Sequence, residues 1–164
     1  MEQCRECGFA YVLEAAPDSG PAIVQGAAAL AAILTDGGES RRRPEPRTWS
    51  PLEYGCHVRD VLLVQRERVL AARRLDRPSF DPMGRDERVE HDGYAQQEPG
   101  DVARQLTDAA ELFANVIARL GPLDWERTAI YGYPERRERS LRWVAVHTEH
   151  EVRHHLLDVR HNLG

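Results

Sequence analysis

The chain of 164 residues contains no lysine, and all 22 of its basic residues are arginine. The absence of lysine excludes an enzyme that forms a Schiff base with its substrate, and it excludes a nucleotide-binding loop built around a lysine. No apolar run approaches the ~20 residues that cross a bilayer. The first residues lack the basic start and apolar core of a secretory leader. We therefore expect a cytoplasmic protein with no membrane partner.

The chain also lacks an excess of positive charge, and it has few cysteines. The 27 acidic residues outnumber the arginines, so that the formal net charge is −5. Because nucleic-acid-binding domains are usually basic, we expect no nucleic-acid partner. The chain has three cysteines, Cys4, Cys7 and Cys56, and an odd number argues against a disulfide framework.

Apolar residues recur at helical spacing in four segments of the chain, which are residues 21–36, 51–74, 101–120 and 140–162. The second segment begins with Ser50 and Pro51, and Glu53 completes the signature of a capping box. We see no apolar–polar alternation typical of strands, so the connections 37–48, 76–99 and 123–139 are expected to be loops. The prediction is an all-α four-helix bundle over residues 21–164, preceded by a short head over residues 1–20.

Histidine is concentrated at the end of the chain, where five of the seven histidines lie within the last 18 residues. On a helix, His150 and His154 share one face and can reach one metal ion. A third ligand has to come from another element. His57 on the second predicted helix is a better candidate than His91 in a predicted loop. His155 points away from this face and is a weaker candidate.

These residues resemble the DinB/YfiT-like family of metalloenzymes. The resemblance rests on Trp49-Ser50-Pro51, on His57-Val-Arg-Asp60 and on His150-Glu-Val-Arg-His154, and it covers all four helices in order. It implies an up-down-down-up bundle in which His57, His150 and His154 bind one divalent metal, usually assigned as zinc or nickel. Some relatives are thiol-dependent transferases or isomerases that use bacillithiol, mycothiol or glutathione, and many have no known activity.

Three histidines with an open coordination position are typical of a catalytic zinc site. Such an ion lowers the pKa of bound water to ~7 or binds a thiolate directly. Glu53 and Asp60 flank His57 and could act as a base, and His147 could carry protons. Glu151 and Asp158 are further carboxylates of the last helix. Capping also explains Glu53, however, and pairing with an arginine would explain Asp60.

The expected function is that of a divalent-metal-dependent enzyme acting on a small molecule, either a thiol S-transferase or a hydrolase. A low-molecular-weight thiol is then a second cofactor. The alternative is a non-catalytic metal- or ligand-binding module of a sensor or stress-response type. Such a module would close its site with a fourth protein ligand, such as His147, Glu53 or Asp60.

The pair Cys4-x-x-Cys7 departs from the family pattern and looks like half of a zinc knuckle. It could hold a second zinc with ligands from elsewhere, form a redox dithiol or serve packing, and we favour the first. Cys56 is expected to be a small buried apolar residue. A second apolar stripe on the last helix could serve a homodimer or a neighbouring helix.

Overall fold

The computed structural model describes residues 2–36, 38–133 and 135–163. Four long helices dominate it, joined by two short helices and three short strands. In chain order the elements are α1 (Ser19–Thr35), α2 (Pro51–Arg74), β1 (Ser79–Phe80), α3 (Arg85–His91), α4 (Pro99–Ile117), α5 (Pro122–Trp125), β2 (Thr128–Tyr131), β3 (Arg137–Ser140) and α6 (Leu141–Leu163). No described helix is both long and apolar enough to cross a membrane.

The long helices pack as a bundle in the order α1, α4, α2, α6. Helix α1 packs against α4 and α6, and α2 packs against the same two helices, whereas α1 and α2 meet only across the diagonal. The predicted all-α four-helix bundle is confirmed. The second apolar stripe of α6, which includes the buried residues Val152 and Val159, faces the inside of this bundle. A neighbouring helix of the same chain therefore accounts for that stripe.

Helix α2 begins where its sequence predicts. The Glu53 backbone N–H donates to the Ser50 hydroxyl, and the Ser50 backbone N–H donates to the Glu53 carboxylate at 2.8 Å. Pro51 occupies the first turn, where its missing N–H costs nothing. The ends of α2 agree with the predicted segment, and those of the other long helices differ from prediction by one to three residues.

The two longer predicted loops contain regular structure, so the prediction of no strands was wrong. Residues 76–99 include β1 and α3, and residues 123–139 include β2 and β3. Strand β2 pairs in parallel with β1 and antiparallel with β3. Strands of two to four residues are too short to show an alternating pattern. The small sheet covers one side of the bundle near the site described below.

The head packs against α6. Gln3 and Ala10 form an isolated β-bridge, and Gly8 makes the turn between them with φ +72°, a value that favours glycine. The 3₁₀-helix Leu13–Asp18 leads from the head into α1 and also contacts α6. The turn that carries Cys4 and Cys7 therefore lies beside the histidine-rich helix.

Gly26 allows α1 to approach α6 closely, because a Cβ atom at this position would lie 2.7 Å from Val152 Cγ1. We expect Gly26→Ala to lower the free energy of unfolding by about 1–3 kcal/mol relative to Gly100→Ala, since Val152 has little rotamer freedom in a helix. Gly100 lies on α4 with open space around it, so its replacement gains helix propensity alone. Urea denaturation measures both variants, and equal effects would contradict the close approach.

Candidate metal centre

His57 of α2 meets Glu151 and His155 of α6 inside the bundle. Each residue offers one ligand atom, and these three atoms lie within 4.8 Å of one another. The two imidazole rings have centroids 4.9 Å apart, and His155 Nε2 lies 3.7 Å from a Glu151 carboxylate oxygen. His57 is 3% exposed. Its Nδ1 atom is buried without a hydrogen-bond partner among the described residues, which suits a site for a metal ion.

Burial and neighbouring charges shift the pKa values of these three side chains in different directions. Burial, reinforced by the charge of His155, lowers the pKa of His57 to about 3, so this imidazole is neutral. Burial would also lower the pKa of His155, but the hydrogen bonds that its ring donates to Asp158 and Glu151 raise it to about 9. A metal ion bound at His155 must therefore displace a proton. Burial raises the pKa of Glu151, but its histidine neighbours outweigh this effect and keep the group ionised.

Asp158 orients the ring of His155. Its carboxylate lies 2.9 Å from His155 Nδ1, which leaves Nε2 on the side of Glu151. A carboxylate that holds the second nitrogen of a histidine is the usual support of a metal-binding imidazole.

A cavity of about 350 Å³ opens beside His57 and Glu151. Within it, Arg68 donates to the Tyr131 hydroxyl at 2.7 Å, and Gln65 donates to the same oxygen at 2.5 Å. Arg68 forms no ion pair with a carboxylate of the described residues, and its other hydrogen bonds go to neutral oxygens. The full lining is His57, Val61, Val64, Gln65, Arg68, Pro82, Met83, Gly84, Arg85, Asp86, Glu87, Tyr131, Tyr133, His147 and Glu151.

Comparison with known proteins agrees with this architecture. The sequence model of the DinB superfamily matches residues 25–159. The chain belongs to the DinB superfamily. Among solved structures, YfiT from Bacillus subtilis is similar, with a TM-score of 0.78 at 12% identity over 91% of this chain and 86% of that chain. That protein is described as a probable metal-dependent hydrolase with an unusual four-helix bundle topology. No curated protein has a significantly similar sequence.

The DinB/YfiT-like family and its up-down-down-up bundle are thus confirmed. The structure nevertheless divides the three predicted metal ligands of this DinB-superfamily protein. His57 lies with Glu151 and His155, whereas His150 and His154 lie with Cys4 and Cys7. No candidate metal group among the described residues joins His57 to His150 or His154. Each residue of a helix is rotated by about 100° from the one before it, so Glu151 and His155 face a different neighbour from His150 and His154.

From the sequence, His155 was the weaker ligand candidate and Glu151 was only a further carboxylate of the last helix. They repeat the i, i+4 spacing of His150 and His154 one residue later, so the signal was present in the sequence. Which of the two pairs faces α2 depends on how α6 packs, and the packing was not visible in the sequence.

His147, a predicted proton carrier, lines the cavity of this DinB-superfamily protein. The Tyr11 hydroxyl lies 2.9 Å from His147 Nδ1, and Trp143 stacks on the ring with centroids 4.4 Å apart. Burial lowers the pKa of His147 to about 4, against the opposing charge of Glu151. The ring is neutral at physiological pH and stays a candidate for proton transfer.

The predicted bases Glu53 and Asp60 have structural partners instead. Asp60 accepts hydrogen bonds from Arg59, Arg88 and the Tyr94 hydroxyl, at 2.8, 3.2 and 2.7 Å. Glu53, which is 1% exposed, caps α2 and pairs with Arg43. Neither carboxylate lines the cavity. A catalytic role for either one stays a prediction, and the contacts favour the structural role.

Replacing Asp158 by Asn is expected to weaken the binding of a divalent metal at the His57 centre about 10- to 100-fold, because the charge that orients His155 is lost. Asp108→Asn on the exposed face of α4 is the matched control, with no expected change. Competition with a chelator measures the affinity, with Cys4 replaced by serine in both variants because Asp158 also lies 3.6 Å from His154 Nε2, near the thiols. Equal affinities for the two variants would show that Asp158 does not support the centre.

Replacing Glu53 by Gln tests the structural role of Glu53. Burial raises the pKa of this carboxyl, but Arg43 and Ser50 outweigh burial and lower it below the usual 4.5. The ionised group therefore stabilises the fold at higher pH, and this contribution is lost as the pH falls through the depressed pKa.

At neutral pH the variant should lose about 1.5–3 kcal/mol in the free energy of unfolding, the range for a charged hydrogen bond. The deficit relative to wild type should shrink below pH ~4.5. Urea denaturation in the presence of a chelator, across this pH range, measures it. Glu98→Gln, which breaks the exposed pair with Arg41, is the control and should change little. A deficit independent of pH would argue against the ion pair.

Proposed function

We propose that this DinB-superfamily protein is a metal-dependent hydrolase whose divalent ion is held by His57, Glu151 and His155. The observation that carries the proposal is the convergence of these three side chains beside the cavity, whose wall includes His57 and Glu151. Two histidines and one glutamate form the ligand set of many catalytic zinc sites, and two histidines with a carboxylate also bind non-haem iron. Zinc, nickel and iron are therefore all compatible with the site.

The surrounding residues suit a small-molecule substrate. When bound, the ion supplies a Lewis acid that polarises the reacting bond. Arg68 offers an unpaired cation to an anionic group of the substrate, and Tyr131 helps to hold the guanidinium in place. His147, neutral and in the cavity, is placed to accept a proton.

A thiol S-transferase of the mycothiol or bacillithiol type is the second candidate. Arg68 favours it, because an acidic thiol cofactor could place a negatively charged group against this arginine. The arginine run near residue 42 is a poorer anion site, since its side chains pair with acidic residues of the same chain. The enzyme class and the choice of metal are parts of this proposal, and the homodimer stays a prediction.

The metal centre is tested by measuring metal content together with hydrolysis of a panel of esters, amides and lactams. His57→Ala and Glu151→Gln should each lose about one equivalent of metal and at least 100-fold in activity. His161→Ala, on the exposed end of α6, is the matched control and should keep both. If His57→Ala kept its metal and its activity, the centre would be elsewhere.

A metal-loaded protein that is inactive on every substrate, with or without added thiols, would favour the non-catalytic metal- or ligand-binding module.

The role of Arg68 is tested by comparing substrates with and without a carboxylate. Arg68→Gln should raise KM about 10- to 100-fold for the carboxylate substrate and leave KM for the neutral analogue unchanged, since a charged hydrogen bond contributes about 1.5–3 kcal/mol. Arg104→Gln, on the surface of α4, is the control. A proportional rise for both substrates would mean that Arg68 supports the fold of the cavity only.

A further inference from the structure

The head and α6 bring together a second set of metal ligands. Cys4, Cys7, His150 and His154 each offer one ligand atom, and all four atoms lie within 4.8 Å of one another. The spacing is C-x₂-C followed by H-x₃-H, as in closed four-ligand zinc sites. Residues separated by about 150 positions in the sequence thus meet, and Cys4 Sγ lies 3.8 Å from His154 Nδ1.

The turn of the head holds the two thiols in place. The Cys4 N–H donates to the Phe9 carbonyl at 2.9 Å, and the Gly8 N–H donates to the Cys4 carbonyl at 3.0 Å. Gly8 supplies the left-handed conformation that closes this turn. The backbone therefore fixes Cys4 and Cys7 on one side of a short loop.

His150 provides an independent observation. It is 8% exposed, and neither of its buried ring nitrogens has a hydrogen-bond partner in the described part of the chain, although Nδ1 lies 3.4 Å from a Glu151 carboxylate oxygen. Leaving a buried polar nitrogen unpaired costs free energy. A metal ion bound to one nitrogen would offset part of this cost.

His154 is oriented for the same ion. Its Nε2 atom lies 3.3 Å from a Glu6 carboxylate oxygen and 3.6 Å from one of Asp158, while Nδ1 faces Cys4. Carboxylates on the outer nitrogen leave the inner nitrogen free to bind metal.

We propose that Cys4, Cys7, His150 and His154 form a structural zinc site, distinct from the centre at His57. The two sets share no residue, so both ions can bind at once. The other candidate groups among the described residues, His147–His150–Glu151 and His154–His155–Asp158, each take members from both sets. Four protein ligands leave no open position, which makes the role structural.

The zinc would fasten the head to α6. Next to the site, Phe9 packs on His150 with ring centroids 5.4 Å apart, and Tyr11 contacts the cavity residue His147. The inference does not depend on the proposed hydrolase activity. The sequence predicts a second zinc at Cys4 and Cys7 with ligands from elsewhere in the chain. His150 and His154 of α6 are the two ligands that we propose.

Cobalt substitution of the full-length chain tests the proposal, because a Co²⁺ ion bound to thiolates shows sulfur-to-metal absorption bands that a histidine–carboxylate site lacks. Wild type and Cys56→Ala should bind about two equivalents and show the bands. Cys4→Ser and Cys7→Ser should each lose about half of the band intensity, and the double variant Cys4→Ser/Cys7→Ser should lose the bands and about one equivalent. His57→Ala should keep the bands and lose the other equivalent.

The outcomes separate the two sites. Absence of the bands from wild type, together with a mass about 2 Da lower that indicates a Cys4–Cys7 disulfide, would overturn the structural site in favour of a redox dithiol. Bands that persist in the double variant would also overturn it. If these variants do not fold by circular dichroism, the comparison of Cys56→Ala with wild type still decides whether Cys4 and Cys7 bind the metal. If the His57 centre did not bind metal, wild type would bind only one equivalent of Co²⁺ and would still show the bands.

Discussion

The rotation of α6 about its own axis is the constraint on which the candidate sites depend. Each residue advances by about 100°, so two pairs with the same i, i+4 spacing but one residue apart face different neighbours. His150 and His154 face the head, whereas Glu151 and His155 face α2. One helix thereby contributes to two clusters of different chemistry, one containing thiols and one containing a carboxylate.

Packing of the bundle sets the phase of this helix. Val152 meets α1 at Gly26, where the absence of a side chain permits close approach, and Val159 is fully buried. With this face of α6 fixed against α1, the side chains of His150, Glu151 and His155 are held largely away from solvent. Burying them is costly unless they are paired. The ionised Glu151 between His150 and His155 and the carboxylate of Asp158 beside His155 reduce that cost.

The sequence was sufficient for features that depend on local rules. The capping box of Ser50 and Glu53 predicted where α2 begins, and helical spacing predicted the bundle. It was insufficient where tertiary packing decides the outcome. The strands are too short to leave a pattern. Choosing between the pair His150–His154 and the pair Glu151–His155 as partners of His57 required the phase of α6, which the sequence does not show. Cys4 could not be linked to His154 because nothing local connects residues so far apart in sequence.

Tyr11 connects the two clusters. Its ring packs against His150, with centroids 5.4 Å apart, and its hydroxyl lies 2.9 Å from the Nδ1 atom of His147, which lines the cavity. Because the hydroxyl occupies one nitrogen of His147, it determines which nitrogen faces the cavity and whether that nitrogen carries a proton. The position of the head therefore acts on the cavity through one hydrogen bond. A metal ion that holds Cys4 and Cys7 against α6 would fix this hydrogen bond without touching a substrate, so the proposed structural site would act on the geometry of the proposed metal centre.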